Sequence, residues 1–156
     1  MAIKLTSPAF GDGETIPAKY TCEGEDISPG LSWSGVPEGA KSLALIVDDP
    51  DAPDPKAPQR TWVHWVVYDM DPASSGIAQR GTVLPQGARS ALNDWNRTGY
   101  GGPCPPIGEH RYFHKLYALD CVLGALSPAN KASLEAAMQG HILAQAVLLG
   151  RYKKKN

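Results

Sequence analysis

Three short stretches of the chain concentrate polar side chains that could act together on a ligand. The first is Asp48-Asp49-Pro50-Asp51, and the second is His64 within the apolar run WVHW. The third is GGPCPPIGEHRYFH at 101–114, in which residues 101–108 form a Gly- and Pro-rich segment that we call the lip. Carboxylates, imidazoles and a phenol are groups that bind small ions or move protons.

Together these groups favour a pocket for a small anion. A carboxylate beside an imidazole fixes the tautomer of the ring and favours its protonated form. Two such histidines, His64 and His110, would join the Tyr112 hydroxyl and loop N–H groups in donating hydrogen bonds to an oxyanion such as phosphate. The lip glycines would let the backbone approach the ligand, and the lip prolines would keep an empty pocket open. The expected apolar walls are Trp62, Trp65 and Pro106.

Other functions fit some of the same residues. Cys104 could serve a hydrolase as nucleophile with His110 or His64 as base, although it stands between two prolines without an evident third partner. Two histidines and two aspartates could bind zinc or manganese, although His110 and His114 lie too far apart on a strand to share one ion easily. An interaction protein without a ligand is a further alternative. No helix follows the lip glycines, which argues against a nucleotide-binding loop.

Three strand patterns must position these groups. Residues 42–48 are an apolar, β-branched run that predicts a buried strand, ended by the prolines that follow. Residues 61–70 predict a second strand, and both of its faces are bulky, so it should be covered on both sides. One face would carry Trp62, His64, Val66 and Tyr68, and the other Val63, Trp65 and Val67.

The third strand follows the lip as RYFHKLYALDCVL. Alternation of side chains along a strand divides its residues between two faces. One face would carry His110, Tyr112, His114 and Leu116, and the other Arg111, Phe113, Lys115 and Tyr117. The two polar ligand candidates that follow the lip, His110 and Tyr112, would therefore lie on the same side of a sheet.

The rest of the chain predicts one clear helix and several short strands. Ser127 could cap a helix with Pro128 in its first position, Leu134 and Met138 on one face, and Gly140 as its stop. Residues 141–152 could form a second short helix that runs into a last strand. IKLTSP, LSWSG and RGTVLP are expected to be short strands. The predicted fold class is mostly β, an antiparallel β-sandwich with short C-terminal helices.

Composition narrows the class of protein further. A chain of 156 residues with 42% hydrophobic and 20% charged residues is typical of one globular domain, spanning residues 1–156. A net charge of −1 provides no basic field for nucleic acid, and no window resembles a signal peptide or a membrane span. The three cysteines match no CxxC spacing, so we expect reduced thiols and a cytoplasmic location. No cofactor is predicted.

The chain resembles the phosphatidylethanolamine-binding protein (PEBP) family in three motifs and in their order. These motifs are DDPDAP after an apolar strand, WVHW in the next strand, and GPCPPIGEHRY before a third strand. The likeness runs from about Phe10 to Tyr152, and it is strongest to the bacterial Raf kinase inhibitor-like branch. The resemblance implies a β-sandwich with an anion pocket at one end, which would bind phosphate or a phosphorylated head group. It is compatible with regulation through a protein partner such as a kinase or protease, and with a homodimer.

The resemblance also assigns residues to that pocket. The ligand-binding positions it implies are Asp49, Asp51, His64, Pro105, Pro106, Gly108, His110 and Tyr112, with no catalytic and no metal-binding residue among them. It further implies cis peptide bonds at Ala52–Pro53 and at the non-proline bond Arg60–Thr61. Binding rather than catalysis is the expected activity.

Overall fold

The computed structural model describes residues 2–155, most of which lie in or between the strands of two sheets. The smaller sheet contains β1 (Lys4–Thr6), β3 (Leu31–Ser34) and β6 (Gly76–Ile77) in the order β1-β3-β6. The larger sheet contains β2 (Glu14–Thr15), β4 (Ser42–Ala52), β5 (Arg60–Met70), β7 (Arg89–Ser90), β8 (Glu109–Leu119) and β9 (Ile142–Lys153). Its strand order is β2-β9-β8-β4-β5-β7.

The pairings in both sheets are antiparallel except for β2 with β9. One apolar cluster fills the space between the sheets and includes Leu5, Trp33, Leu45 and Leu116. A second cluster covers the opposite face of the larger sheet, where Leu134 and Met138 of helix α1 (Lys131–Met138) pack. The predicted mostly β sandwich is therefore confirmed, with the larger sheet buried on both faces along its central strands.

The C-terminal part of the chain differs from the prediction. Residues 142–153 form one long strand rather than a helix and a strand, because their buried positions alternate and pair along the whole of β8. Helix α1 begins after Asn130, whose side chain accepts a hydrogen bond from the Ser133 N–H at 2.9 Å, so Ser127 is not its cap. Residues 80–85, predicted as a strand, form turns and coil.

A β-bulge changes the faces of β5. Val47 pairs with Trp65 and Asp48 pairs with Val63, which leaves His64 as an extra residue in β5. The alternation therefore reverses at this point: Trp65 packs into the core between the sheets, whereas Val66 packs against the opposite face. The prediction that His64, Val66 and Tyr68 share one face is wrong for this reason.

Strand β4 does not end at its first proline, as the sequence suggested, but continues to Ala52. Its ladder with β8 ends at Asp48, so Pro50 needs no backbone partner on that side. Beyond that point the Asp51 carboxylate accepts the Arg111 backbone N–H at 2.9 Å, in place of a ladder carbonyl. The Ala52–Pro53 peptide bond is cis, as expected. The Arg60–Thr61 bond, which was also expected to be cis, is trans, and Ser127–Pro128 is a second cis bond among the described residues.

Candidate functional site

A cavity of about 390 Å³ opens where β4, β5 and β8 leave their regular pairing. Six of the eight residues implied by the resemblance line it, and Asp51 and Gly108 do not. The full lining is Asp49, Ala52, Pro53, Trp62, His64, Trp95, Cys104, Pro105, Pro106, His110 and Tyr112. Three distant segments of the sequence thus meet at one end of the sandwich, as the motif analysis predicted.

His110 and Asp49 form a buried pair on one side of the cavity. His110 Nδ1 lies 2.6 Å from Asp49 Oδ2, and both side chains are almost fully buried. His110 Nε2 lies 2.9 Å from the Ile107 carbonyl oxygen and 3.1 Å from that of Pro53. Since carbonyl oxygens only accept, Nε2 must carry a proton.

One further proton must lie between Nδ1 and the carboxylate, because two unprotonated acceptors would repel each other at this distance. Burial raises the pKa of the Asp49 carboxyl, and the hydrogen bond from His110 opposes that rise. Whether the proton is on the ring or on the carboxyl, the His110–Asp49 pair has no net charge. The pair also uses both ring nitrogens of His110 within the protein, so its part in the site is to shape and polarise the cavity wall.

Tyr112 lies between the two histidines. Its ring stacks on His110 with 6.4 Å between centroids and meets the edge of His64 at 5.1 Å. Burial raises the pKa of the phenol, and the nearby Asp49 charge acts in the same direction, so the hydroxyl stays protonated. Within the described chain this hydroxyl is buried without a hydrogen-bond partner. Such a group is costly unless a ligand or water satisfies it.

His64 differs from the expected protonated ring. Its Nδ1 lies 2.7 Å from the Gly101 carbonyl oxygen, not near a carboxylate. Burial lowers the pKa of His64 to about 4, so the ring is neutral at physiological pH. Nδ1 then holds the proton that is donated to Gly101, which leaves Nε2 as a hydrogen-bond acceptor. The predicted second cationic histidine is therefore wrong.

Asp51 faces away from the cavity. Its carboxylate receives two hydrogen bonds from the Arg111 guanidinium, at 3.0 and 2.9 Å, as well as the backbone N–H described above. Those side-chain bonds lower the pKa of Asp51, with the backbone bond adding to the effect. The Asp51 N–H in turn donates to Asp49 Oδ1 at 2.7 Å. Asp51 thus holds Asp49 in place, which makes it a positioning residue of the wall.

The lip is fixed to β5 through Gly101. The Gly101 N–H donates to the His64 carbonyl oxygen at 3.0 Å, which completes a reciprocal pair with the side-chain bond of His64. A Cβ at Gly101 would overlap the Trp95 ring, so this close approach requires glycine. Gly108, with φ +73°, lies outside the cavity and turns the lip against Pro55.

The apolar walls differ in one residue from the prediction. Trp62 and Pro106 line the cavity, but Trp65 is buried in the core against Tyr100 because of the β5 bulge. Its place is taken by Trp95, which meets Trp62 edge-on at 5.5 Å. Trp95 was missed because it lies in an irregular segment. Only the Asn-Asp turn signal before it, NDW, marked a loop.

Cys104 forms a disulfide with Cys22, 82 residues earlier in the chain. The expectation of reduced thiols is therefore wrong for two of the three cysteines, and Cys121 is the free one. Spacing could not reveal this pairing, since the fold alone brings the two cysteines together. A disulfide sulfur has no thiolate, so Cys104 in this state cannot be the nucleophile of a hydrolase. It forms part of the cavity wall.

His114, the other histidine considered as a metal ligand, lies apart from the cavity lining. It is buried, with Nδ1 at 3.1 and 3.2 Å from the carbonyl oxygens of Tyr112 and Leu148. Burial lowers its pKa to about 4, so it is a neutral core residue.

The phosphatidylethanolamine-binding protein family model matches residues 6–153, which include all the cavity residues. The chain belongs to the PEBP family. A UPF0098 protein of Methanothermobacter thermautotrophicus is 48% identical to this family member over 155 residues, covering 97% of this chain and 99% of the relative.

Two solved structures are similar to this PEBP family member over almost its whole length. The first is CT736 of Chlamydia trachomatis, described as a PEBP homologue, with a TM-score of 0.90 and 47% identity over 99% of each chain. The second is YbcL of E. coli, described as a new member of the mammalian PEBP family. Its TM-score is 0.88 at 33% identity, with 99% of this chain and all of that chain covered. Among the described residues, no helix has the length and apolar character needed to cross a bilayer.

Proposed function

We propose that the cavity binds a small phosphate-like anion, either free or as a phosphorylated head group. The observation that carries this proposal is the buried hydroxyl of Tyr112, a residue that lines the cavity. This hydroxyl has no hydrogen-bond partner among residues 2–155. A ligand oxygen that enters beside Tyr112 would supply the missing acceptor.

The polar groups favour an oxyanion that still carries a proton. The His110–Asp49 pair is neutral overall, and neutral His64 has an acceptor nitrogen at Nε2. A dianion without a proton would meet this acceptor with another acceptor, and its full charge would be poorly compensated. Hydrogen phosphate, or a phosphate monoester in its singly protonated form, can donate to Nε2 and accept from the Tyr112 hydroxyl at the same time.

Positive charge outside the cavity would attract such a ligand. The guanidinium of Arg97 lies 5.7 Å from the centre of the Trp95 ring, and that of Arg60 lies 4.7 Å from the centre of Trp62. Arg60 pairs with Asp94 at 3.3 Å, whereas no carboxylate lies within 4.0 Å of Arg97 among the described residues. The cavity volume and its aromatic walls exceed the needs of a bare phosphate, which favours a ligand with an organic part.

The family resemblance also supports proposals about the domain organisation, the activity and the partners of the protein. Residues 1–156 act as one domain of the bacterial Raf kinase inhibitor-like branch, and the protein binds its ligand rather than transforming it. Regulation of a protein partner such as a kinase or protease, and formation of a homodimer, belong to the same hypothesis. The sequence favoured a cytoplasmic location, whereas the Cys22–Cys104 disulfide favours an oxidising compartment.

Isothermal titration calorimetry with matched anions tests the ligand assignment. At about pH 6, where a phosphate monoester still carries a proton in part, we expect saturable binding of inorganic phosphate and phosphoethanolamine. Sulfate, which has the same shape but no proton at this pH, should bind more weakly. Tighter binding of phosphoethanolamine than of phosphate would identify a head-group site, and equal binding a site for the free anion. The absence of binding for all three anions, or equal affinity for sulfate and phosphate, would overturn the proposal.

A further inference from the structure

A second group of ligating side chains lies at the far end of β8 from the cavity. Asp120 and Cys121 follow the last residue of β8, and His141 immediately precedes β9. Each offers one ligand atom, a carboxylate oxygen, a thiol sulfur and an imidazole nitrogen, and these atoms lie within 4.8 Å of one another. We call these three residues the distal cluster. Ten residue steps along β8 separate His110 from Asp120, about 30 Å at the usual rise of a strand.

The backbone of the distal cluster is fixed by hydrogen bonds. The Asp120 N–H donates to the His141 carbonyl oxygen at 3.0 Å, which extends the β8–β9 pairing by one bond. The Ser42 hydroxyl donates to the Cys121 carbonyl oxygen at 2.6 Å, and the His141 N–H donates to the Met138 carbonyl oxygen at 2.9 Å. The three side chains therefore project from anchored positions, which lowers the cost of ordering them around an ion.

The charges at the distal cluster suit a cation. Asp120 Oδ1 lies 2.7 Å from His141 Nδ1, and among the described residues no lysine or arginine lies within 4.0 Å of the Asp120 carboxylate. Cys121 is the free cysteine of the chain. Both Asp120 and His141 have side chains that are nearly half exposed, at 44% and 45%, so an ion can reach them from solvent.

We propose that Asp120, Cys121 and His141 form a binding site for a borderline divalent transition metal of the zinc class. Zinc takes thiolate, imidazole and carboxylate ligands in a tetrahedral arrangement, and a set of three protein ligands leaves its fourth position to water. Calcium and magnesium require oxygen ligands and are excluded by the sulfur and nitrogen donors.

Metal binding changes the contacts of the cluster in a defined way. The thiol of Cys121 loses its proton to solvent as the metal–sulfur bond forms. The imidazole binds through a neutral ring nitrogen, either by giving up its bond to Asp120 or by using Nε2 and keeping it. An ordinary surface Asp–His pair does not require the Cys121 thiol to lose its proton, whereas the metal site does, and this separates the proposal from the simpler explanation.

Cobalt is the suitable probe, because zinc is spectroscopically silent whereas a Co²⁺–thiolate bond gives a charge-transfer band in the near ultraviolet. The titration uses untagged protein without reductant, gel-filtered and assayed to contain one free thiol per chain, so that Cys22 and Cys104 stay paired. We expect the band to saturate at one Co²⁺ per chain and to disappear when Zn²⁺ is added.

Variants assign the ligands. Cys121→Ser should abolish the band, and His141→Gln and Asp120→Asn should each weaken Co²⁺ binding by about tenfold or more, the loss expected even for an outer-shell partner. Glu38→Gln removes an exposed charge outside the cluster and should leave binding unchanged. Far-ultraviolet circular dichroism checks that each variant is folded. A missing band in the wild type, or a band unaffected by His141→Gln, would overturn the proposal.

Discussion

His110 Nδ1 lies 2.6 Å from Asp49 Oδ2 in a part of the protein where both side chains are shielded from solvent. The contact joins the start of β8 to the end of β4, and Asp51 supports it by donating its N–H to the other Asp49 oxygen. The wall of the cavity therefore depends on a charge-compensated pair, and removal of either residue should lower the free energy of unfolding. Removal of one partner from such a buried pair leaves the other without compensation.

Asp49→Asn tests this dependence. The amide keeps an oxygen for the Asp51 N–H and can donate to a neutral His110 ring, but the charge-assisted bond is lost, so we expect a loss of about 1.5–3 kcal/mol in the free energy of unfolding. Urea denaturation gives the measurement. Asp54→Asn, in which the exposed carboxylate accepts only a local backbone N–H, is the matched control and should change stability by less than about 0.5 kcal/mol. Equal effects of the two substitutions would contradict the importance assigned to the pair.

Tyr112→Phe separates binding from stability. The substitution removes a buried hydroxyl without a partner, so the free energy of unfolding should be unchanged or should rise by about 1 kcal/mol. Phosphate affinity, measured by calorimetry, should fall about tenfold, as for one lost hydrogen bond to a charged group. Tyr68→Phe is the control: its hydroxyl accepts the Leu126 N–H at 3.2 Å, so its loss should cost stability and not affinity. Unchanged affinity in Tyr112→Phe would remove Tyr112 from the site.

The buried histidines predict acid sensitivity. Burial lowers the pKa of His64 and of His114 from 6.5 to about 4, so between these values the unfolded chain binds protons that the folded chain does not. The free energy of unfolding should therefore fall as the pH is lowered from about 6.5 towards 4, by up to about 1.4 kcal/mol per pH unit for each ring.

His114→Gln keeps a donor and removes one titrating ring. Urea denaturation at several pH values in this window should show a slope smaller by up to about 1.4 kcal/mol per pH unit than in the wild type. Val83→Ala changes a side chain that is 80% exposed and does not titrate, so it is the control and should keep the wild-type dependence of the free energy of unfolding on pH. Parallel slopes for the wild type and His114→Gln would show that His114 is not held neutral by burial.

The disulfide predicts a specific pattern of thiol reactivity. Iodoacetamide added to unreduced, unfolded protein should label Cys121 alone, and peptide mapping should recover the peptides of Cys22 and Cys104 joined. The double substitution of Cys22 and Cys104 by serine should lower the free energy of unfolding by about 2–4 kcal/mol, since it opens a long covalent loop. Labelling of Cys104 in unreduced protein would contradict the assignment and would restore it as a nucleophile candidate.

The sequence predicted the parts of this structure that depend on strong local patterns. The strands around Leu45 and Val67 follow from apolar runs with β-branched residues, and the strand around Leu116 follows from its alternating side chains. The meeting of Asp49, His64 and His110 follows from the three motifs that contain them. Residues 142–153 were ambiguous because a short apolar run fits a helix or a strand, and only pairing with β8 decides between them.

Other features depend on geometry that spacing along the chain does not contain. The bulge at His64 reverses the faces of β5, so Trp65 moved from the expected wall into the core. Trp95 and the Cys22–Cys104 bond both arise where distant loops meet. The expected charge of His64 was wrong because its partner is a carbonyl oxygen of the lip, whereas motif reasoning assumed a carboxylate. The Asp51 carboxylate, likewise, is occupied by Arg111.

The most direct test of the central claim is a nuclear magnetic resonance titration of the imidazole signals with inorganic phosphate, in buffer freed of divalent metals. We predict saturable shifts for the His64 and His110 rings, with a single dissociation constant that increases in Tyr112→Phe. His141, at the far end of β8, is the internal reference and should not move. Unchanged His64 and His110 signals at high phosphate, or equal shifts at His141, would contradict an anion site in the cavity.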